Sequence, residues 1–288
     1  MTTAVAAMRV TTRTKAPIMR LLRAELRFML RRPRTMIALG MAAVVPIIAG
    51  IGVSLATTAP TNAPNQSIGG IAAIVADNGL ILSVLVLLLS MNMLLPLVGT
   101  MWSADAISGE AAAGGLRNLL LAPIGRPRLL AVKAFGIAVL CLVTVTIMAV
   151  VGAIAGIVIL GGDSMLTMSG STLPFGQSVG RLALLTVLVT VQVWAVAAVA
   201  LAISAATDHP LVVLSVTLGG VIVFHVLGAI SSLDWLHPVL ITTGWPELVD
   251  VARDPMPTDA ITDGVLRAAC YLVIGYSLAL ARMVTRDG

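Results

Sequence analysis

Six charged side chains, Asp105, Glu110, Arg117, Arg126, Arg128 and Lys133, fall within one interval, residues 103–133, between strongly apolar runs at 80–101 and 134–160. Two carboxylates and four bases at this spacing suit ion pairing with one another, with lipid headgroups or with a partner, rather than covalent chemistry. Among them Leu116, Leu119 and Leu120 recur at helical spacing. A short docking helix is therefore expected over 116–122, hinged at Gly114-Gly115 and ended by Pro123. Other reactive residues are scattered. His209, His225 and His237 stand apart, without HExxH or CxxC spacing, so no metal site is expected. Gly176-Gln177-Ser178-Val179-Gly180 fits GxSxG, but that motif works at a strand-to-helix turn in a soluble sheet. Here an outer loop precedes it and an apolar run follows, and no catalytic residue is expected. Cys141 and Cys270 lie in different apolar runs and are expected as free, buried thiols.

The elements that carry these residues follow from composition. Apolar residues make up 58% of the chain and charged residues 11%, against about 25% charge in a soluble domain. Several runs reach the roughly 20 residues that cross a bilayer as a helix, and the short alternating segments of a barrel are missing. The fold class is an all-α membrane protein with six spans, at 36–56, 78–102, 134–160, 182–205, 211–230 and 264–283. Pro46 is expected to kink the first span, and Trp102 to mark an inner interface. Residues 1–34 form a tail and amphipathic helix, 35–283 the membrane domain and 284–288 a short tail. Nine Lys and Arg precede span one, four lie in the central stretch and two end the chain, so fifteen of eighteen share a side. With five acids there that side carries +10, against −5 opposite. This bias places both termini in the cytosol and makes the high pI a property of membrane orientation rather than of nucleic-acid binding.

Between the tail and span one, Arg20, Arg23, Arg27 and Arg31 share one narrow helical face, while Ile18, Leu22, Leu26, Phe28 and Met29 fill the other. Either a helix lying in the membrane interface or a basic anchor orienting the first span fits this pattern. Glu25 falls inside the apolar arc, where a lone carboxylate needs a basic partner from another segment. The outer segment 231–262 is acidic, with apolar stretches too short to span. It is expected to dip into the outer leaflet as short helices.

The central stretch resembles a motif of ABC-2-type transporter permeases, the membrane subunits of ATP-driven exporters. That motif runs as an acidic residue and Gly-Glu, then Gly-Thr-Leu, Pro-x-x-Arg and a distal Lys. The matching residues are Asp105, Gly109-Glu110, Gly115-Leu116-Arg117, Pro123, Arg126 and Lys133, with Gly114 adding a second glycine and the threonine absent. Residues 22–26 before Arg31-Arg32-Pro33-Arg34 resemble that family's interfacial elbow helix. The resemblance implies two six-span units, identical or paralogous, around a central pathway, with two ATPase subunits beneath. It makes 116–122 a coupling helix, with Asp105, Arg117 and Arg126 adding charge contacts. Glu110 would pair with an elbow arginine or with Lys133. No GxxxxGK[ST] loop occurs in the chain, so ATP and Mg would be bound by the partner ATPase and no cofactor by this chain.

The implied activity is export of an apolar or amphiphilic compound across the cytoplasmic membrane. Asn92, Gln192 and His225 are polar groups inside spans. They either line a pathway or bond helix to helix. The alternatives to an exporter permease are an intramembrane hydrolase and an ion-coupled carrier or channel. Ion coupling calls for ionisable groups at mid-membrane, and none sits at a span centre.

Overall fold

The computed structural model describes residues 18–58, 78–112, 125–162, 165–167 and 172–285. Helix α1 (Ile18–Leu30) is short and amphipathic. Five helices are long and apolar enough to cross a membrane: α2 (Pro33–Thr58), α6 (Arg126–Leu160), α7 (Phe175–Ala206), α8 (Pro210–Gly228) and α9 (Asp259–Thr285). Helices α3 (Gly79–Met91) and α4 (Leu94–Ala106) make a sixth crossing if the bent pair counts as one span. A five-residue helix, α5 (Ser108–Ala112), follows α4. Strands β1 (Met165–Leu166) and β2 (Thr172–Leu173) pair antiparallel between α6 and α7.

The span expected at 78–102 is thus not continuous, and Pro96 explains why. It has no N–H to donate, and its ring crowds the carbonyl four residues earlier, that of Asn92. The ladder breaks at Asn92-Met93 and the axes bend by 58°. At the break the Asn92 N–H bonds the Leu89 carbonyl rather than that of Leu88, and the Asn92 side-chain amide donates to Leu88 (3.4 Å) and Leu89 (3.3 Å). Pro46, by contrast, lies within an unbroken α2.

Helix α7 is the axis of the bundle. Leu185, Val189, Ala195, Ala197, Ala198 and Leu201 are fully buried, packed among α9, α4 and α6. Burial in lipid supplies no hydrophobic drive between helices, so close approach and hydrogen bonds between them do the work. Ser103 on α4 donates to the carbonyl of Ala197 at 2.7 Å. Helices α3 and α6 meet where Gly79 faces Gly156, and a Cβ on Gly79 would lie 2.6 Å from the Gly156 carbonyl carbon. One turn along, Ser83 donates to the carbonyl of Ala149 at 3.1 Å. Trp102 is 1% exposed. Its ring packs into this core rather than standing at the surface of the bundle.

Two more expectations change. Cys270 is exposed, whereas Cys141 is buried. Leu266, Ile274 and Leu278 on α9 are exposed too, and Cys270 falls on their i, i+4 stripe. The outer segment forms three 3₁₀ turns, Ser231–Leu236, Ile241–Gly244 and Pro246–Ala252, and α9 begins at Asp259, ahead of the expected 264. The last two turns pack inward: Leu240, Ile241, Trp245, Leu248, Val251 and Ala252 are buried. Trp245 stands edge-on to His225, ring centres 5.2 Å apart. Arg181 on α7 donates to the carbonyls of Val251 (3.0 Å) and Arg253 (2.9 Å), holding the segment down.

Candidate coupling site

The charged residues converge at the end of the bundle where α1, the α1–α2 corner, α5 and the start of α6 meet. Helix α6 has 35 residues, about 52 Å at 1.5 Å each, well beyond a hydrocarbon layer of about 30 Å. Lys133 lies two turns into it and is 3% exposed. One turn further, Gly136 lets α1 press close, because a Cβ there would lie 2.7 Å from the sulfur of Met29. Met29 is therefore the buried residue of α1, and Glu25, one turn before it, faces Lys133.

Lys133 Nζ sits 2.9 Å from Glu25 Oε1 and 2.6 Å from Glu110 Oε1. The same Glu110 oxygen takes a bond from Arg32 Nη2 at 3.0 Å. Arg32 occupies the corner between α1 and α2, where Pro33 disfavours helix in the residue before it. Its Nη1 reaches the Asp105 carbonyl at 3.3 Å, and its guanidinium lies 4.4 Å from the centre of the Phe28 ring. Arg34 pairs with Asp105 at 3.5 Å, although three-quarters of its side chain is exposed, so that pair contributes little. The other ion pairs are shielded. Burial of such charges costs desolvation, but removing one partner strands the other, at about 3–5 kcal/mol.

Glu110 is presented by α5, which is fixed to α7. The Ser108 amide donates to Ser204 Oγ at 3.0 Å, and Ser108 Oγ to the Ala104 carbonyl at 2.8 Å. Its second oxygen, Oε2, is buried with no hydrogen-bond partner among the described residues. A cleft of about 770 Å³ opens beside it, walled by Glu25, Arg32, Arg34, Asp105 and Lys133.

The remaining sequence-derived candidates are dispersed. Arg20, Arg23 and Arg27 line the exposed face of α1, and Arg31 lies past its last turn, since the helix closes at Leu30. Arg126 Nη1 donates to the carbonyls of Met283 (3.0 Å) and Val284 (2.8 Å), tying the start of α6 to the end of α9. Gly114, Gly115, Leu116, Arg117, Leu119, Leu120 and Pro123 lie outside the described residues. Gln192 is buried and donates to the Gly264 carbonyl at 3.0 Å, a bond from helix to helix. His225 Nδ1 lies 3.0 Å from the Val221 carbonyl within α8. Asn92 is exposed at the α3–α4 break. Ser204 escaped sequence reading, whereas Arg32 was named there only within the elbow motif, with Glu110 expected to pair with an elbow arginine or with Lys133. The corner proline was the available signal for Arg32, whereas nothing local flags Ser204.

Ser178, the serine of GQSVG, is fully buried in the first turn of α7, and its hydroxyl donates to the Leu173 (3.2 Å) and Pro174 (3.1 Å) carbonyls. A hydroxyl so enclosed cannot reach a substrate. Among the described residues no group of His, Cys, Asp or Glu is placed to hold a metal ion.

Five helices long and apolar enough to cross a membrane, or six with the bent pair, define a multi-pass membrane protein. The chain belongs to the ABC-2 family of transporter proteins, whose family model matches residues 19–248, from α1 through the cluster to the outer segment. It is accordingly a membrane permease of an ABC transporter, a transport subunit rather than a catalytic one. No curated protein matches the chain.

Proposed function

We propose that this permease exports an apolar or amphiphilic compound across the cytoplasmic membrane, driven by two copies of a separate ATPase, with a second six-span unit completing the pathway. ATP and Mg belong to the ATPase. The observation that carries the reading is the Glu25–Lys133–Glu110–Arg32 cluster. It joins the amphipathic helix, the corner before span one, the stretch leading to 116–122 and the base of span three.

A docking helix transmits displacement only if it is anchored at both ends. Glu110 anchors one end of the 103–133 stretch to α6 and to the α1–α2 corner. Arg126 anchors the other to the end of α9. Between them Leu116, Leu119 and Leu120 form the apolar ridge seated on the ATPase, Arg117 and Asp105 flank it, and Gly114-Gly115 is the hinge. Helix α1 lies in the inner interface with Arg20, Arg23 and Arg27 toward anionic headgroups. Asn92, a polar side chain exposed about halfway along the broken span, faces the pathway. Gln192 and His225 hold its walls.

Glu110→Ala leaves membrane insertion intact, because the group lies outside the hydrocarbon, but uncouples ATP hydrolysis from transport. Leu119→Asp removes buried apolar area from the ridge and weakens ATPase binding itself. The measurements are co-purification with a co-expressed ABC ATPase subunit and substrate-stimulated hydrolysis in membranes. If both variants bind the ATPase and transport like the parent, the central stretch is a connector and the coupling reading is wrong.

A further inference from the structure

Between α7 and α9 runs a second cleft, of about 640 Å³, on the outside of the bundle. Its α7 wall is Val199, Ala202, Ile203 and Ala206, spaced i, i+3, i+4, i+7, and its α9 wall includes Ile274 and Leu278. The small side chains on α7 make it a groove rather than a ridge.

Its two ends differ. The outer end is closed. Arg267 reaches it but is already engaged, Nη1 bonding the Leu240 carbonyl (3.2 Å) and Thr243 Oγ1 (2.7 Å), and the Tyr271 hydroxyl donates to the Val239 carbonyl at 2.8 Å. At the other end Arg282 is exposed. No carboxylate among the described residues pairs with its guanidinium. From Tyr271 to Arg282 the helix rises about 16 Å, close to the roughly 15 Å hydrocarbon depth of one leaflet. The groove thus combines one monolayer's depth, apolar walls, a closed far end and an unengaged cation at the near end.

We infer that this groove holds an anionic phospholipid, its phosphate on Arg282 and one acyl chain along Ala202, Ile203 and Leu278. A free phosphate lacks the chain that the walls accommodate, and a zwitterionic lipid gains less from a lone arginine. That the lipid comes from the cytosolic leaflet rests on the orientation proposed above; the site itself does not.

The test uses the full-length protein reconstituted in equal phosphatidylglycerol and phosphatidylcholine, then released for native mass spectrometry. Phosphatidylglycerol is retained over phosphatidylcholine by about fivefold, the value of roughly 1 kcal/mol per basic residue at an anionic surface. Arg282→Ala brings the ratio to parity, Arg282→Lys keeps most of it, and Ala202→Trp, which fills the groove but leaves the charge, removes retention of both lipids. Equal retention of the two lipids by the parent, or an unchanged ratio in Arg282→Ala, overturns the proposal. So does disulfide formation between Cys270 residues of two copies, which shows that a second chain covers the groove. Should the lipid bind while Arg282 proves to face outward, the site stands and the orientation falls.

Discussion

Lys133 serves two carboxylates at once, from α1 and α5, and this makes it the residue on which the cluster depends. Lys133→Ala leaves Glu25 and Glu110, both partly shielded from solvent, side by side with like charge. It is expected to cost about 3–5 kcal/mol, read as a loss of melting temperature in detergent. Adding Glu25→Gln to that variant restores part of the loss, because one of the two like charges is gone while Glu110 keeps its pair with Arg32. If the double variant melts no higher than the single one, the cost lies in packing and not in charge. Glu25 was legible from sequence because a carboxylate inside an apolar arc has no other economical explanation. Its partner's position could not be read, since it depends on Gly136 admitting Met29, a contact between segments more than 100 residues apart.

At the scale of elements, the outer segment carries the one pH-dependent prediction. Burial pushes the Glu247 carboxyl above its ordinary value, with Arg267 opposing the rise and Asp250 and Asp263 adding to it. The folded chain therefore holds this proton more tightly than the unfolded chain. The stability so gained is complete below the ordinary carboxylate value of 4.5 and is lost as pH rises through the folded-state value. Melting temperatures between pH 4 and 7 should fall less steeply in Glu247→Gln than in the parent. Equal slopes would locate the titration elsewhere. The elements themselves were largely legible, because length and hydropathy alone mark a span. The break at Asn92 was not: hydropathy runs unbroken across it, and Pro46, equally visible in sequence, lies inside a continuous α2. The exposure of Cys270 was missed because its apolar character suggested burial, whereas α9 buries its small residues Gly264, Ala268, Gly275 and Ala279.

At the scale of the whole molecule the charge bias makes a definite prediction of orientation. Cysteines introduced at Asn62 and Asp254 react with an impermeant maleimide added outside intact cells, whereas one at Gly125 reacts only after the membrane is opened. Labelling of the Gly125 position from outside would invert the topology and remove the cytosolic setting of the ion cluster. The family assignment fixes the class of machine, but the orientation decides which end of α6, the one bearing Lys133 or the one packed by Gly156, meets the energy source.

The meeting of Gly79 with Gly156 has a consequence for how this chain can vary. A methyl group on either residue would land on the other's main chain, so no side-chain rearrangement elsewhere can make room. In a saturation library selected for correctly inserted protein, these two positions should return glycine almost alone, while Gly40 and Gly52, which face open space, should accept alanine freely. Spans two and three thus meet main chain to main chain at this point, and any bulk added there would have to push the helices apart.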